Sequence, residues 1–203
     1  MSTPHALHRM ALTGLAVAAL AAAPALAQTT ATPTFSLEGN VLYNVFNGHD
    51  FRDVGDGPGF EALGNLGVGA FSLGAGYVRT THHLTGVTDD VTLDGPFVEP
   101  RLALPFYYRS FTPYLSARVA RLTARADDAG GELVATGTQL GGGIGMLVAL
   151  APSVRMNLGL TYARLRLGDA ERDGTRIPDS DADGSTLGFR AGLSLGGAGW
   201  GWH

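Results

Sequence analysis

Three sets of residues in this 203-residue chain have types that do chemistry or hold charge together. His82-His83 with Asp89-Asp90 brings imidazoles and carboxylates close enough to suggest a metal or acid–base site. The spacing matches no ligand motif, and exposed loops often carry such residues. Asp179-x-Asp181-x-Asp183-Gly184 has the first half of a calcium loop, in which closely spaced carboxylates supply hard oxygen ligands. Its twelfth position is Arg190, where a bidentate Glu belongs, so an EF-hand is excluded. Weak surface calcium binding and a plain solvated acidic loop both stay open. The third set is Glu38, Glu61, Glu99, Arg101, Arg118, Arg155 and Arg190, both signs of charge spread through apolar surroundings. Gly141-Gly142-Gly143-x-Gly145 is not a phosphate loop, because no strand-to-helix transition follows; it suits close strand packing. No cofactor and no metal site is expected.

The elements that position these residues alternate with period two, the signature of β-strands with two unlike faces. Phe35, Leu37, Val41, Tyr43 and Val45 share one face, and Ser36, Glu38, Asn40 and Asn44 the other. Leu187, Phe189, Ala191, Leu193 and Leu195 alternate with Thr186, Gly188, Arg190, Gly192 and Ser194. Val154, Met156, Leu158, Leu160 and Tyr162 stand opposite Arg155, Asn157, Gly159 and Thr161. Five further segments, 59–71, 72–82, 97–105, 113–124 and 136–149, complete eight strands of mostly nine to thirteen residues. Soluble strands average about 5–6 residues, whereas a strand crossing a bilayer needs about 9–11. Pro100 removes a ladder donor, so a bulge is expected there. At Arg121-Leu122 the chemical parity slips, which calls for a bulge or an exit from the membrane.

The connections alternate as well. Long links are expected at 47–58, 83–96, 125–135 and 168–184, and short ones at Phe71-Ser72, 106–112 and Leu150-Ala151-Pro152. The last long link carries Asp169, Glu171, Asp173, Asp179, Asp181 and Asp183 against Arg172 and Arg176. Short turns at one rim and long loops at the other is the layout of outer-membrane barrels. The polar face has about one charge per strand, with many Gly, Ser, Thr and Asn. That composition suits a crowded lumen better than a water-washed exterior. Leu158, Leu160, Leu193 and Leu195 then face lipid, and Asn157 and Ser194 face the lumen. Phe106, Tyr107, Tyr108, Phe111 and Tyr114 around one short turn, with Trp200 and Trp202, suit a rim where bilayer meets water.

Composition excludes several classes. All 14 basic residues are Arg, and there is no Cys, so disulfides, thiolate metal sites and cysteine nucleophiles are ruled out. The formal net charge of −4 disfavours a general binder of nucleic acid or of an anionic membrane surface. Residues 1–27 read as a signal peptide: His5, His8 and Arg9, an apolar run from Met10 to Ala23, a break at Pro24, and Ala25-Leu26-Ala27 before Gln28. Residues 28–33 form a short polar lead, and 34–203 the barrel domain.

On these grounds the chain resembles the small outer-membrane β-barrel family of the OmpA/OmpX-like eight-stranded type. The resemblance rests on the leader, the eight alternating strands, and segments such as Gly95-Pro96-Phe97-Val98-Glu99-Pro100-Arg101-Leu102 and Leu187-Gly188-Phe189-Arg190-Ala191-Gly192-Leu193. It implies an all-β, eight-stranded antiparallel up-and-down transmembrane barrel in the outer membrane, with outer-membrane lipid and the barrel-assembly machinery as partners. Members of the family usually close the last strand on an aromatic residue; this chain ends Gly199-Trp200-Gly201-Trp202-His203. The expected function is a non-enzymatic barrel with a side-chain-filled lumen, structural or surface-contacting through its long loops, whose surface partner the residues do not name. The alternatives are a lipid-modifying outer-membrane enzyme and a soluble periplasmic ligand-binding barrel.

Overall fold

The computed structural model describes residues 32–85, 90–104, 110–128, 131–178 and 180–196. The expected leader and most of the polar lead lie outside the described residues, as do Phe106, Tyr107, Tyr108, Trp200 and Trp202. The strands are β1 (Thr34–Asn47), β2 (Gly57–Val68), β3 (Phe71–His83), β4 (Asp90–Ala103), β5 (Phe111–Asp128), β6 (Gly131–Ala151), β7 (Val154–Leu167), the two-residue β8 (Glu171–Arg172) and β9 (Thr175–Arg176), and β10 (Ala182–Gly196). The eight long strands pair antiparallel in the order β5-β4-β3-β2-β1-β10-β7-β6, and β5 pairs with β6 to close the ring. Closure leaves no unpaired edge among them, which is the condition for spanning lipid with strands.

The sense of the alternation follows the expected assignment through the middle of the barrel. Outward positions on every long strand carry exposed apolar side chains: Leu37 and Val41 on β1, Phe60 and Leu66 on β2, Leu73 and Tyr77 on β3, Val98 and Leu102 on β4. Leu115 and Val119 on β5, Leu140 and Ile144 on β6, Leu158 and Tyr162 on β7, and Phe189 and Leu193 on β10 continue the belt. Inward positions on the same strands hold Glu38, Asn40, Glu61, Asn65, Glu99, Arg101, Asn157, Arg190 and Ser194, all buried.

Toward the long-loop rim this sense inverts without any change of register. On β5 the inward residues become Leu122 and Ala124, both buried, while Arg121 and Arg125 point out. The β5–β6 register is continuous from Phe111↔Val148 to Asp128↔Gly131, so the parity slip is no bulge. It marks where the wall leaves apolar surroundings and the barrel becomes an ordinary water-soluble one, apolar inside and polar outside. Phe51, Val78, Leu93, Phe97, Ala120, Leu122, Ala124 and Leu165 form this upper core. Phe51 reaches it from the β1–β2 loop and stacks on Phe46 at 5.1 Å between centroids. A Cβ on Gly184 would stand 2.4 Å from the Phe51 ring, so that position must lack a side chain.

Three further expectations need correction. Pro100 makes no bulge: Phe97↔Ala120, Val98↔Val119, Arg101↔Ser116 and Leu102↔Leu115 keep one register, and pairing to β5 is merely skipped at Glu99 and Pro100. The observed irregularity is elsewhere, between Ala149 and Ala151 at a short turn. The long links are shorter than expected because strands run on above the apolar belt. The hairpin at 125–135 pairs as far as Asp128↔Gly131, β4 begins at Asp90, and 168–184 contains the β8–β9 hairpin. That hairpin turns through Asp173 and Gly174, both at positive φ (49° and 78°), as a two-residue Asp-Gly turn requires. Finally, Tyr114 is not a rim aromatic. It shares the inward parity of Ser116 and Arg118 and is 1 % exposed.

Candidate functional site

Six of the seven charged residues singled out above meet in one layer across the lumen. Glu38 and Asn40 come from β1, Glu61 from β2, Glu99 and Arg101 from β4, Arg118 from β5 and Arg190 from β10. A two-residue repeat alone puts them inside; the ring closure brings them together. Arg101 grips Glu38 with two parallel bonds, Nη1–Oε2 at 2.7 Å and Nη2–Oε1 at 2.9 Å, and donates from Nε to Glu99 at 2.7 Å. Arg118 donates to Glu99 and Glu61, at 2.7 Å each. Arg190 donates to Glu99 at 3.0 and 2.8 Å and to Glu61 at 3.3 Å. Three glutamates thus meet three arginines, and Glu99 touches all three.

Neutral groups complete the layer. Asn40 Nδ2 lies 2.7 Å from Glu38 and 2.9 Å from Glu61, and Asn157 Nδ2 donates to Glu38 at 2.6 Å. The Tyr114 hydroxyl donates to Asn157 Oδ1 at 2.8 Å and accepts from Arg190 at 2.9 Å. Guanidinium groups lie over rings as well, Arg118 above Phe97 at 4.0 Å and Arg101 above Tyr114 at 4.9 Å. β3 and β6 make room: a Cβ on Gly145 would lie 2.3 Å from the Tyr114 ring. Charges buried this deeply are tolerable only because each is paired and further hydrogen-bonded.

Arg155 is inward too, but one layer nearer the short-turn rim. It lines a cavity of about 20 Å³ with Asn65, Ser72, Arg101 and Ser194. A second cavity, of about 40 Å³, separates the ion-paired layer from the apolar cap. Either volume holds a water or two. Asn40, Tyr114 and Asn157 were not among the charged candidates. Strand parity placed Asn40 and Asn157 inside; Tyr114 was expected at the rim, although its even spacing with Ser116 and Arg118 was the signal that could have placed it inside.

The other candidate chemistry does not assemble. His82 points inward and is fully buried, with Nδ1 3.0 Å from Gly55 O and Nε2 2.9 Å from Thr80 Oγ1. His83 points outward and pairs with Asp90. Adjacent residues of one strand face opposite ways, so the two imidazoles cannot share a ligand. Asp89 and Asp179 lie outside the described residues. Asp183 is engaged by Arg164 at 2.6 Å and Arg166 at 3.2 Å. The hydrogen bond from Arg164 holds its carboxyl below the usual carboxylate range. Among the described residues no His/Cys/Asp/Glu group has the geometry to hold a metal ion.

No family model matches the chain, and no curated protein does. Among solved structures it is similar to Neisserial surface protein A, at 17 % identity and a TM-score of 0.62, over 79 % of this chain and 96 % of that one. A major outer membrane protein of Thermus thermophilus matches at 14 % identity, over 81 % and 99 % of the chains, with a TM-score of 0.48. The attachment invasion locus protein of Yersinia pestis matches at 11 %, over 82 % and 100 %, with 0.46. The likeness to Neisserial surface protein A is one of fold, and the fold is a closed eight-stranded antiparallel barrel.

Proposed function

We propose that the chain is a non-enzymatic integral outer-membrane protein: a barrel sealed by its own side chains that anchors the extended strands and loops of its long-loop rim at the cell surface. The observation that carries this reading is the pairing of an apolar belt on the outer face of all eight long strands with an ion-paired, hydrogen-bonded interior. A soluble ligand carrier would need the opposite sense throughout, with a cavity of about 300–1,000 Å³. The lumen cavities of about 40 and 20 Å³ are far below that. Catalysis is disfavoured because the inward carboxylates and guanidinium groups are committed to one another, and His82 is enclosed by Gly55 and Thr80. The partners on this reading are the lipid around the belt and the machinery that inserts such barrels.

Ion flux tests it. The purified chain, folded into phosphatidylcholine vesicles and recovered with the membrane after alkaline washing, is expected to leave the vesicles impermeable to chloride and potassium. Recovery in the soluble fraction would overturn the membrane assignment. Sustained flux would overturn the sealed lumen.

A further inference from the structure

Beyond the apolar belt, three of the eight long strands carry outward arginines, while Asp94 on β4 and Asp183 on β10 face outward near the same end. On β3 the outward residue after Tyr77 is Arg79; on β5 the one after Val119 is Arg121; on β7 Tyr162 is followed outward by Arg164 and then Arg166. Tyr77, Val119 and Tyr162 are all exposed members of the belt. Two residues along a strand rise about 6.6 Å. These guanidinium groups therefore stand where a bilayer's headgroups begin, directly above acyl chains that would cover the belt.

Two of these arginines are in cross-strand register with one threonine between them. Arg121 lies opposite Thr138 on β6, and Thr138 opposite Arg166 on β7. With strands about 4.8 Å apart, the two arginines flank the threonine at roughly 10 Å. They line an open groove of about 630 Å³ on the outer wall, whose far side carries Asp181 and Asp183. Asp183 is already held by Arg164 and Arg166, whereas no carboxylate among the described residues pairs with Arg121. The lining itself holds two arginines and two aspartates; Arg164, bonded to Asp183 from beside the groove, brings a third guanidinium to the local group, on a chain that is negative as a whole. A planar guanidinium fork suits phosphate oxygens, and a threonine hydroxyl between two forks supplies a further donor.

We propose that the groove between Arg121 and Arg166, floored by Thr138, binds the phosphorylated headgroup of an anionic lipid in the leaflet at the long-loop rim. The proposal rests on the membrane assignment above and deepens it, since it selects one lipid class from the surroundings. Each arginine near a charged membrane surface contributes about fivefold in affinity, so removing both costs about 30-fold.

The test uses the full chain in phosphatidylcholine nanodiscs, doped with phosphatidic acid, with diacylglycerol, or with neither. Native mass spectrometry then counts the lipid retained. The expected result is retention of phosphatidic acid over diacylglycerol, reduced about 30-fold in Arg121→Gln/Arg166→Gln. Retention is expected to be unchanged in Arg176→Gln, a loop arginine bonded instead to Asp169 at 2.6 Å. Equal retention by the wild type and the double variant overturns the site and leaves the membrane assignment standing. Failure of the wild type to enter the nanodiscs overturns both. If the double variant does not fold, the wild-type comparison decides alone: equal retention of the two dopants overturns the proposal. Displacement of bound phosphatidic acid by millimolar inorganic phosphate would assign the groove to free phosphate and overturn the lipid source.

Discussion

Glu99 and Arg190, 91 residues apart in sequence, join across the lumen through two hydrogen bonds of 3.0 and 2.8 Å. β4 and β10 are not neighbours in the sheet, so this contact spans the barrel rather than the ladder. Contacts of this kind, with Arg101–Glu38 and Arg118–Glu61, fill the lumen and tie opposite walls together. A buried pair is not by itself net stabilising, but an orphaned member of one is strongly destabilising. That asymmetry makes the network testable.

Truncating Arg190 leaves Glu99 and Glu61 short of a partner inside the barrel. Arg190→Ala is expected to cost roughly 3–5 kcal/mol in urea unfolding from detergent micelles. Glu99→Gln combined with Arg190→Met removes one charge of each sign and is expected to cost less than Arg190→Ala alone. A neutral Arg190→Ala would mean the layer is not coupled as the distances imply.

Gly145 exists to admit Tyr114. Gly145→Ala drives a methyl group to 2.3 Å from the ring, and overpacking of that kind costs about 1–3 kcal/mol. In a Tyr114→Leu background, which removes the atoms that would clash, the same glycine substitution is expected to add little. Equal cost in both backgrounds, by the same unfolding assay, would place the strain elsewhere.

Leu193 is outward and half exposed, at 49 %. An arginine near the bilayer midplane costs roughly 2–4 kcal/mol, falling to about 0–1 near the interface. Leu193→Arg should therefore impair folding into vesicles. Ser185→Arg, outward on the same strand but above the belt, should not.

His82 gives the long-loop end a dependence on pH. Burial lowers its pKa from the usual 6.5, opposed by the Gly55 carbonyl and by Asp56 and assisted by His83. A histidine held neutral by the fold leaves the unfolded chain binding more protons, so stability is full above about 6.5 and declines as pH falls below it. The protection of the Gly55 amide, which bonds to His83 O at 2.8 Å, is expected to fall between pH 7.5 and 5 once its hydrogen exchange is corrected for the intrinsic rate at each pH. The effect should disappear in His82→Gln.

Much of this was legible in the chain. Alternation, strictest in 35–45, 154–162 and 186–195 and readable in 59–71, 97–105 and 113–124, sufficed for the strands, their faces and the inward set of charges. Parity assigns a face but not a height, which is why Arg155 could be grouped with residues one layer above it. Partner choice depends on how the sheet closes, so Arg101–Glu38, 63 residues apart, could not be read from spacing. The inversion of sense at Arg121-Leu122 was visible as a parity slip. Its meaning depended on knowing that Leu122 shares one buried cluster with Leu165 and with Phe51 of the β1–β2 loop. Tyr114 was misplaced because aromatic crowding near a turn outweighed its even spacing with Ser116 and Arg118.

The most direct test uses the absence of cysteine in the chain. Single cysteines at Thr186, Leu187, Phe189, Ala191, Leu193, Ser194 and Leu195 can each carry a spin label in protein folded into bilayers. Collision rates are then measured with oxygen, which concentrates in lipid, and with a water-soluble nickel chelate. The predicted result is high oxygen accessibility at Leu187, Phe189, Ala191, Leu193 and Leu195, with Thr186 and Ser194 shielded from both probes. Nickel-chelate access at Thr186 and Ser194, or an oxygen profile without the two-residue period, would contradict a lipid-facing belt around a sealed lumen.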